Sequence, residues 1–320
     1  MANEKMQLVS VVMSIYNEPV TYIDQAVNSI LNQTYSNIEF IIIVDNPEYS
    51  EAIKYIYERI KEDSRIKLIL NDSNIGLASS LNAGIGIAKG SFIARMDADD
   101  ISFEKRLEEE LKYLHINNLD VVACAVQKID GQGNINGKIH PPVITPDEIC
   151  KYLEYKNPIV HPTVIIKTDV IRVIGGYRKF DACQDYDLWT RLATSGYKIG
   201  QLDEVLLSFR RHEKSVTATR RFNQVVNEMY IQSLFHERKI NGGIDSFSEK
   251  NLCAFRKSLG GDNKEIIERE NRLLEKYKFG VQAVKQHHLA KGIKLILLSF
   301  RSKLVRYVLY STIKARRLKK

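Results

Sequence analysis

Two hydrophobic periodicities alternate along the first hundred residues of the chain. Residues 8–14 and 38–44 are short, almost wholly apolar runs rich in β-branched side chains, a pattern typical of strands buried on both faces of a sheet. Between them, apolar residues recur at helical spacing from Tyr22 to Leu31, and residues 49–61 resemble a second amphipathic helix. The series continues with a strand at 66–70, a helix at 76–88 and a strand at 91–96. This alternation predicts an α/β fold with a mostly parallel sheet.

The rest of the chain is less regular and then becomes helical. A helix is predicted at 103–117, an amphipathic helix around 187–193, and strands at 121–126, 161–166 and 205–209. Helices predicted at 225–238, 247–258 and 264–279 are separated by two pairs of glycines. We therefore place a domain boundary near Thr219. An α/β domain is expected at 1–219, a helical extension at 220–288 and a basic segment at 289–320.

The net charge of +8 is concentrated at one end of the chain. Residues 289–320 contain ten Lys or Arg and no Asp or Glu, whereas the other 288 residues carry 37 basic and 39 acidic side chains. A basic protein invites a nucleic-acid function, but no recognised nucleic-acid module accompanies the charge. With 44% hydrophobic and 27% charged residues, the chain is globular, which excludes collagen-like and largely disordered classes.

Cysteine spacing and the lack of targeting signals indicate a cytoplasmic protein. The four cysteines include no C-x-x-C pair and no dense framework, which favours a reducing compartment. The N-terminal residues lack the layout of a signal peptide. No uncharged apolar run approaches the ~20 residues that a membrane-spanning helix needs. We therefore expect neither secretion by that route nor a spanning anchor.

Three aspartates, Asp97, Asp99 and Asp100, follow directly on the predicted strand 91–96. Carboxylates this close repel one another, so a bound cation that offsets the repulsion is one explanation. Mg²⁺ or Mn²⁺ suits oxygen ligands and leaves positions open for phosphate oxygens. The alternative is that Asp99 or Asp100 caps the helix predicted from Phe103. The motif Asp97-Ala98-Asp99-Asp100 alone favours neither explanation.

Several motifs, in order along residues 8–212, resemble those of a known family. They are residues 9–18, ending in Tyr16-Asn17-Glu18; residues 41–45, ending in Asp45; residues 74–78, which begin at Asn74; residues 88–100, ending in Asp97-Ala98-Asp99-Asp100; residues 184–192, which include Asp185; and Phe209-Arg210-Arg211-His212. In this order and spacing they are similar to motifs of family 2 glycosyltransferases of the bacterial polysaccharide type. The resemblance implies the GT-A nucleotide-diphospho-sugar fold, a mostly parallel central sheet flanked by helices.

The resemblance also implies an activity and a set of site residues. The activity is an inverting transfer of a hexose from a UDP-sugar, with Mn²⁺ or Mg²⁺ as cofactor. Asp185 is implied as the general base, and Asp99 and His212 as metal ligands, although a surface role for His212 remains an equal alternative. Donor contacts are implied for the residues at the strand ends: Ser14, Tyr16, Asn17, Glu18, Asp45, Asn74 and Asp97.

The chain departs from the family at two positions, and other interpretations of the motifs stay open. Asp45-Asn46 stands where the family often has two acidic residues, and Gln184-Asp185 where it often has Glu-Asp. Asp185 and Asp187 could instead be solvated carboxylates at a helix N-terminus. Trp189 is expected in the core and His161 as a structural residue. A non-catalytic nucleotide-sugar or membrane-binding module of the same fold is the alternative function.

The basic segment 289–320 has the pattern of an amphipathic helix. Apolar residues recur at approximate helical spacing with basic residues between them: Ile293, Leu297, Phe300, Leu304, Val308 and Ile313. Such a helix lies in the interface of an anionic membrane. The alternative is a helix that packs on its own domain. An enzyme at the inner face of the cell membrane suits a lipid-linked (undecaprenyl-diphosphate) saccharide acceptor in capsule or O-antigen biosynthesis.

Overall fold

The computed structural model describes residues 6–211 and 221–318, which form two compact units. The first unit contains residues 6–150, 158–179 and 191–211, and the second contains 151–157, 180–190 and 221–318. Neither unit is continuous in sequence, unlike the domains expected from the hydrophobic pattern. The predicted boundary near Thr219 lies outside the described residues.

The first unit is built on a sheet whose first strands are parallel. β1 (Val9–Ile15) pairs with β2 (Ile38–Val44) and β4 (Phe92–Asp97), and β2 pairs with β3 (Ile66–Leu70). Every residue of β1 and β2 is buried, which explains why these strands are continuous apolar runs. The connecting helices are α1 (Val20–Leu31), α2 (Ser50–Glu62) and α3 (Leu77–Ile87). The predicted alternation of strands and helices is confirmed.

The other half of the sheet is mixed. Its strands are β5 (Ile101–Ser102), β6 (Val121–Ile129), β7 (Ile135–Ile139), β8 (Ile165–Lys167) and β9 (Ile199–Arg210). The described strands follow the order β3-β2-β1-β4-β8-β6-β9-β5, with β7 beside β6. β8 is antiparallel to both β4 and β6, whereas β6 and β9 are parallel. The helices here are α4 (Arg106–Ile116), α5 (Pro146–Leu153) and α6 (Thr168–Val173).

Two predicted strands have different bounds in the structure. The strand expected at 161–166 begins instead with a 3₁₀ turn at His161–Thr163, and its ladder covers only β8. The strand expected at 205–209 is the second part of β9, which starts at Ile199. The short strand β5 was not predicted, and it pairs antiparallel with β9 directly after the aspartate motif.

The second unit is helical. Its elements are α7 (Gln184–Thr194), of which residues 184–190 belong to this unit, α8 (Arg221–Ile240), α9 (Glu249–Ser258), α10 (Lys264–Lys285), α11 (Leu289–Ser299) and α12 (Lys303–Arg317). A buried cluster links α8, α10 and α12: Phe222, Val225, Val226, Leu274, Leu304 and Val305. In the described part of the chain, no helix is long and apolar enough to cross a membrane.

The basic segment forms two helices, α11 and α12, where one was expected. The helix is interrupted between Ser299 and Lys303, and the Ser302 hydroxyl caps α12 by accepting a hydrogen bond from the Val305 N–H at 3.0 Å. Leu304 and Val305 are buried in the second unit. The expectation of a single helix was therefore wrong, and the alternative of packing on its own unit applies to α12.

Candidate functional site

Most of the predicted site residues lie at one edge of the sheet. Because β1, β2 and β4 are parallel, their carboxyl ends meet at the same edge, where ligands of α/β sheets bind. Ser14 is aligned with Asp97 in the ladder between β1 and β4, and Asp45 directly follows β2. The fold thus brings together residues that are more than eighty positions apart in sequence.

The turn after β1 is held by Glu18. Its Oε2 atom accepts hydrogen bonds from the backbone N–H groups of Tyr16, at 2.7 Å, and Asn17, at 3.2 Å. The side chain of Asn46 donates to Asn17 Oδ1 at 2.9 Å, so Asn46 links this turn to the end of β2. Burial raises the pKa of Glu18, and the nearby Asp97 carboxylate adds to the increase. The ring of Tyr16 is 43% exposed and available to a ligand.

Asp45 organises the loop that leads to α3. Its carboxylate accepts hydrogen bonds from the Asn71 side chain at 2.7 Å and from the N–H groups of Ile75 and Gly76 at 2.9 Å each. Asn74, which is exposed, also accepts from the Gly76 N–H at 3.0 Å. Asp45 is only 3% exposed, so its first structural effect is to fix the backbone of this loop. Donor contact by Asp45 and Asn74 stays a prediction.

The three aspartates after β4 form a compact group. Asp97, Asp99 and Asp100 can each offer an oxygen, and these oxygens lie within 4.8 Å of one another. Asp100 is fully buried, and its Oδ2 atom has no hydrogen-bond partner among the described residues. Burial raises the pKa of Asp100 well above its ordinary value, and the charges of Asp99 and Asp97 add to the increase.

This group fits a divalent cation better than a helix cap. Helix α4 begins at Arg106, and no side chain in the described structure caps it at Lys105. The capping alternative is therefore wrong for Asp99 and Asp100. A buried carboxylate oxygen without a partner, beside two further carboxylates, suits the oxygen ligand sets of Mg²⁺ and Mn²⁺. The other predicted ligand, His212, lies outside the described residues.

Two arginines that sequence reasoning did not assign support the aspartates. Arg95 is buried and forms an ion pair with Asp97. Its signal in the sequence was a charged residue within an otherwise apolar strand, two positions before Asp97. Arg210 was noted only as part of a motif. In the structure, it is 3% exposed and its backbone N–H donates to Asp100 Oδ1 at 2.8 Å.

The Arg210 side chain joins the aspartate turn to two other segments. Its Nε donates to the Asp99 carbonyl oxygen at 2.7 Å, and its Nη1 donates to the Asp130 carbonyl oxygen at 3.1 Å. Its Nη2 donates to the Gln25 side chain at 2.6 Å, and the guanidinium lies 4.1 Å from the centre of the Tyr22 ring. These four contacts hold one buried side chain against the backbone at Asp99, so Arg210 is a positioning residue.

Arg210→Lys is expected to weaken Mn²⁺ binding by about tenfold to a hundredfold, because an ammonium cannot make these divergent contacts. Isothermal titration calorimetry of the full chain with Mn²⁺ measures this effect. The matched control is Arg211→Lys at the neighbouring exposed arginine, which should bind Mn²⁺ like wild type. A lower melting temperature with unchanged Mn²⁺ affinity would show that Arg210 only stabilises the fold.

Asp185 lies in the second unit, in the first turn of α7. Its Oδ2 atom accepts a hydrogen bond from the Asn157 side chain at 2.8 Å. Burial raises the pKa of Glu228, and the negative charge of Asp185 adds to the increase. The helix N-terminus also favours a charged carboxylate at this position. Sequence reasoning missed Asn157 and Glu228.

The residues around Asp185 have defined structural roles. Asp187 is fully buried, so the interpretation of a solvated helix terminus does not apply to it. Trp189 is also fully buried, which confirms the expected core position. In the first unit, a ring nitrogen of His161 lies 2.8 Å from the Tyr177 hydroxyl, consistent with the structural role expected of His161.

Comparison with known proteins identifies related sequences. A model described as Glycosyl transferase family 2 matches residues 10–174. The O-antigen biosynthesis glycosyltransferase WbnJ of Escherichia coli is 36% identical over 66% of this chain and 82% of its own length. An uncharacterized glycosyltransferase of Methanocaldococcus jannaschii is 39% identical over 63% of this chain and 70% of its own. The amylovoran biosynthesis glycosyltransferase AmsE of Erwinia amylovora is 29% identical over 70% and 84%, respectively.

Solved structures resemble most of the chain in fold. Residues 1–349 of TarS from S. aureus, crystallised in complex with UDP-GlcNAc, match with a TM-score of 0.61 at 16% identity. The match covers 97% of this chain and 89% of that one. A second crystal structure, of the same TarS segment in complex with UDP, matches with a TM-score of 0.59. The predicted GT-A fold with a C-terminal helical region is confirmed.

Proposed function

This chain belongs to glycosyltransferase family 2 and is a glycosyltransferase, and from that premise we propose that it moves a hexose from a UDP-sugar onto a lipid-linked saccharide. The observation that carries this proposal is the aspartate group at the sheet edge, in which Asp100 leaves one buried carboxylate oxygen without a partner among the described residues. A diphosphate held through a divalent cation gives that group a function. Without a cation, the repulsion among the three carboxylates is offset only in part, by Arg95 at Asp97 and by the Arg210 N–H at Asp100.

The donor is proposed to bind across the carboxyl ends of β1, β2 and β4. The exposed ring of Tyr16 offers a stacking surface for a base, and Asp45 fixes the loop before α3 by accepting from the N–H groups of Ile75 and Gly76. Ser14, Asn17, Glu18, Asn74 and Asp97 complete the proposed donor site. The TarS structures contain UDP-GlcNAc and UDP, which supports a uridine nucleotide as the donor here.

A single displacement accounts for the proposed reaction. The acceptor hydroxyl oxygen forms a bond to the anomeric carbon of the sugar. The bond from that carbon to the β-phosphate oxygen breaks, and its electron pair leaves with UDP. The hydroxyl proton moves to the carboxylate of Asp185, which acts as general base. Attack from the side opposite the leaving group inverts the anomeric configuration.

The residues that would hold a cation are those of the aspartate group, with Asp99 as the predicted ligand. When bound, Mn²⁺ or Mg²⁺ supplies positive charge that stabilises the diphosphate leaving group as a Lewis acid. The protein contributes the positions of the oxygens: Arg95 pairs with Asp97, and Arg210 fixes the backbone of Asp99 and the carboxylate of Asp100. His212 remains a proposed further ligand.

The names of the relatives support a role in polysaccharide biosynthesis. WbnJ is named for O-antigen and AmsE for amylovoran biosynthesis. We propose the same class of pathway, for a capsule or an O-antigen, with an undecaprenyl-diphosphate saccharide as acceptor. The enzyme is then expected in the cytoplasm, associated peripherally with anionic lipid at the inner face of the cell membrane.

A donor panel tests the proposed function. The purified full chain is incubated with UDP-Glc, UDP-Gal, UDP-GlcNAc or UDP-GalNAc, with Mn²⁺ and a polyprenyl-diphosphate-GlcNAc acceptor. Mass spectrometry should detect the acceptor extended by one hexose or N-acetylhexosamine. Chelation of the divalent cation by EDTA should prevent formation of this product. Donor binding without transfer or hydrolysis would favour the non-catalytic alternative. Salt-dependent binding to duplex DNA would instead favour a nucleic-acid function.

A further inference from the structure

Among the described residues, helix α11 has an exposed apolar face. Leu289, Ile293 and Leu297 follow at intervals of four residues and so share one side of the helix. Their side chains are between 53% and 60% exposed. We call Leu289, Ile293 and Leu297 the α11 apolar face. Three large exposed aliphatic side chains on one side of an eleven-residue helix are typical of an interaction surface.

Two glycines, Gly280 and Gly292, allow α11 to pack closely against α10. A Cβ atom on Gly292 would lie 2.8 Å from the Gly280 carbonyl oxygen and 2.6 Å from a methyl group of Val284. A Cβ atom on Gly280 would lie 2.9 Å from the Gly292 carbonyl oxygen. The two backbones therefore touch where the helices cross, and Gly292 is buried while the α11 apolar face points away. Phe279, beside the crossing on α10, is also 58% exposed.

The charged residues on α11, and those next to it in sequence, are all basic. Lys291 and Lys294 are exposed on α11 itself, and Lys285 and Arg301 are exposed just before and after it. The sequence from Leu289 onward contains no acidic residue that could neutralise them. Apolar side chains flanked by basic ones are complementary to a bilayer surface with anionic headgroups. A second copy of the same surface would instead bring like charges together.

Helix α12 differs from α11 in what it buries. Its large apolar residues Leu304 and Val305 belong to the buried cluster of the second unit. Its exposed side carries Lys303, Arg306 and Arg317 with Tyr310 and Ile313. It therefore offers charge to a membrane but little apolar surface, and α11 is the element suited to insertion.

We propose that α11 lies in the interface of an anionic phospholipid bilayer, with the α11 apolar face among the acyl chains and Lys291 and Lys294 at the headgroups. This inference deepens the proposed function and rests on it for its purpose, since a lipid-linked acceptor lies in that same bilayer. The glycine crossing fixes α11 on the protein, and the apolar face fixes the protein on the membrane.

Vesicle flotation of the full chain tests the proposal. The vesicles are phosphatidylcholine with about one-third phosphatidylglycerol, and neither donor nor acceptor is present. Ile293→Asp with Leu297→Asp is expected to lower the partition coefficient onto these vesicles by about a hundredfold or more, because each leucine-sized side chain withdrawn from the apolar phase costs roughly a factor of ten. Lys291→Glu with Lys294→Glu should abolish the preference for anionic vesicles over pure phosphatidylcholine.

The control is Ile116→Asp, which changes an isoleucine that is 73% exposed on α4 and should bind vesicles like wild type. Circular dichroism checks that each variant keeps its helix content. Equal flotation of wild type and the α11 double variant would overturn the proposal. A second result would also overturn it: sedimentation shows a wild-type dimer that does not bind vesicles, and the double variant is a monomer. Vesicle flotation does not depend on sugar transfer. The membrane proposal and the proposed function can therefore be contradicted independently.

Discussion

Asp185→Asn is expected to lower kcat for glycosyl transfer by about two to four orders of magnitude, the usual contribution of a general base. An amide keeps the size of the side chain, and its oxygen can still accept the hydrogen bond that Asn157 donates to Asp185 Oδ2. It cannot take up the proton of the acceptor hydroxyl. The KM for the UDP-sugar should change little, because Asp185 is not proposed to contact the donor.

Initial rates measured by UDP release, with donor and acceptor varied separately, check this expectation. The matched control is Asp262→Asn, an exposed aspartate of the same unit, which should retain wild-type kinetics. A variant at Asp185 with unchanged kcat would contradict the assignment of the base. A normal kcat with a raised KM for the acceptor would reassign Asp185 to acceptor binding.

Asp99→Asn is expected to lower the transfer rate at a fixed Mn²⁺ concentration by about a hundredfold or more, because a metal that stabilises leaving-group charge contributes several kcal/mol. A neutral amide replaces one of three carboxylates whose oxygens lie within 4.8 Å. The loss should be partly recovered at high Mn²⁺, since Asp97 and Asp100 remain.

Direct Mn²⁺ binding gives the second readout for Asp99. Electron paramagnetic resonance of free Mn²⁺ should show weaker binding by the Asp99→Asn variant than by wild type. Asp147→Asn, at an exposed aspartate in the first turn of α5, serves as control. Wild-type Mn²⁺ affinity in the Asp99 variant would mean that this carboxylate is not a ligand.

The parallel half of the sheet could be predicted because burial on both faces leaves continuous apolar runs in β1 and β2. The mixed half was harder for identifiable reasons. β5 has only two residues, which is too short for any periodicity. β9 contains the exposed residues Asp203 and Glu204 at the point where its register with β6 shifts, and they interrupt the apolar pattern. The sequence therefore indicated only the second part of β9.

The acidic residues of the candidate site were visible in the sequence, whereas their supports were not. Carboxylates after a buried strand stand out in the sequence because they are close together and repel one another. Arg210 reaches Asp100 across 110 positions, and Asn157 reaches Asp185 across 28. Such contacts depend on how β9 pairs in the sheet and on which distant segments of the chain the fold brings together. A local sequence pattern does not encode either. Amphipathic periodicity likewise could not separate α11 from α12, because a face that enters a protein core and a face that enters lipid are equally apolar.

The contact between Gly280 and Gly292 has a consequence for how the protein can change. A surface helix normally uses its apolar side chains to stay attached, so altering them costs stability. Helix α11 contacts α10 closely at Gly292 and through the half-buried Ile296, whereas Leu289, Ile293 and Leu297 are exposed and add little to this packing. If α11 lies in a bilayer as proposed, those exposed positions could vary with the composition of the bilayer while the fold stays constant. The two glycines, by contrast, tolerate no larger residue, so adaptation of this surface is confined to one side of one helix.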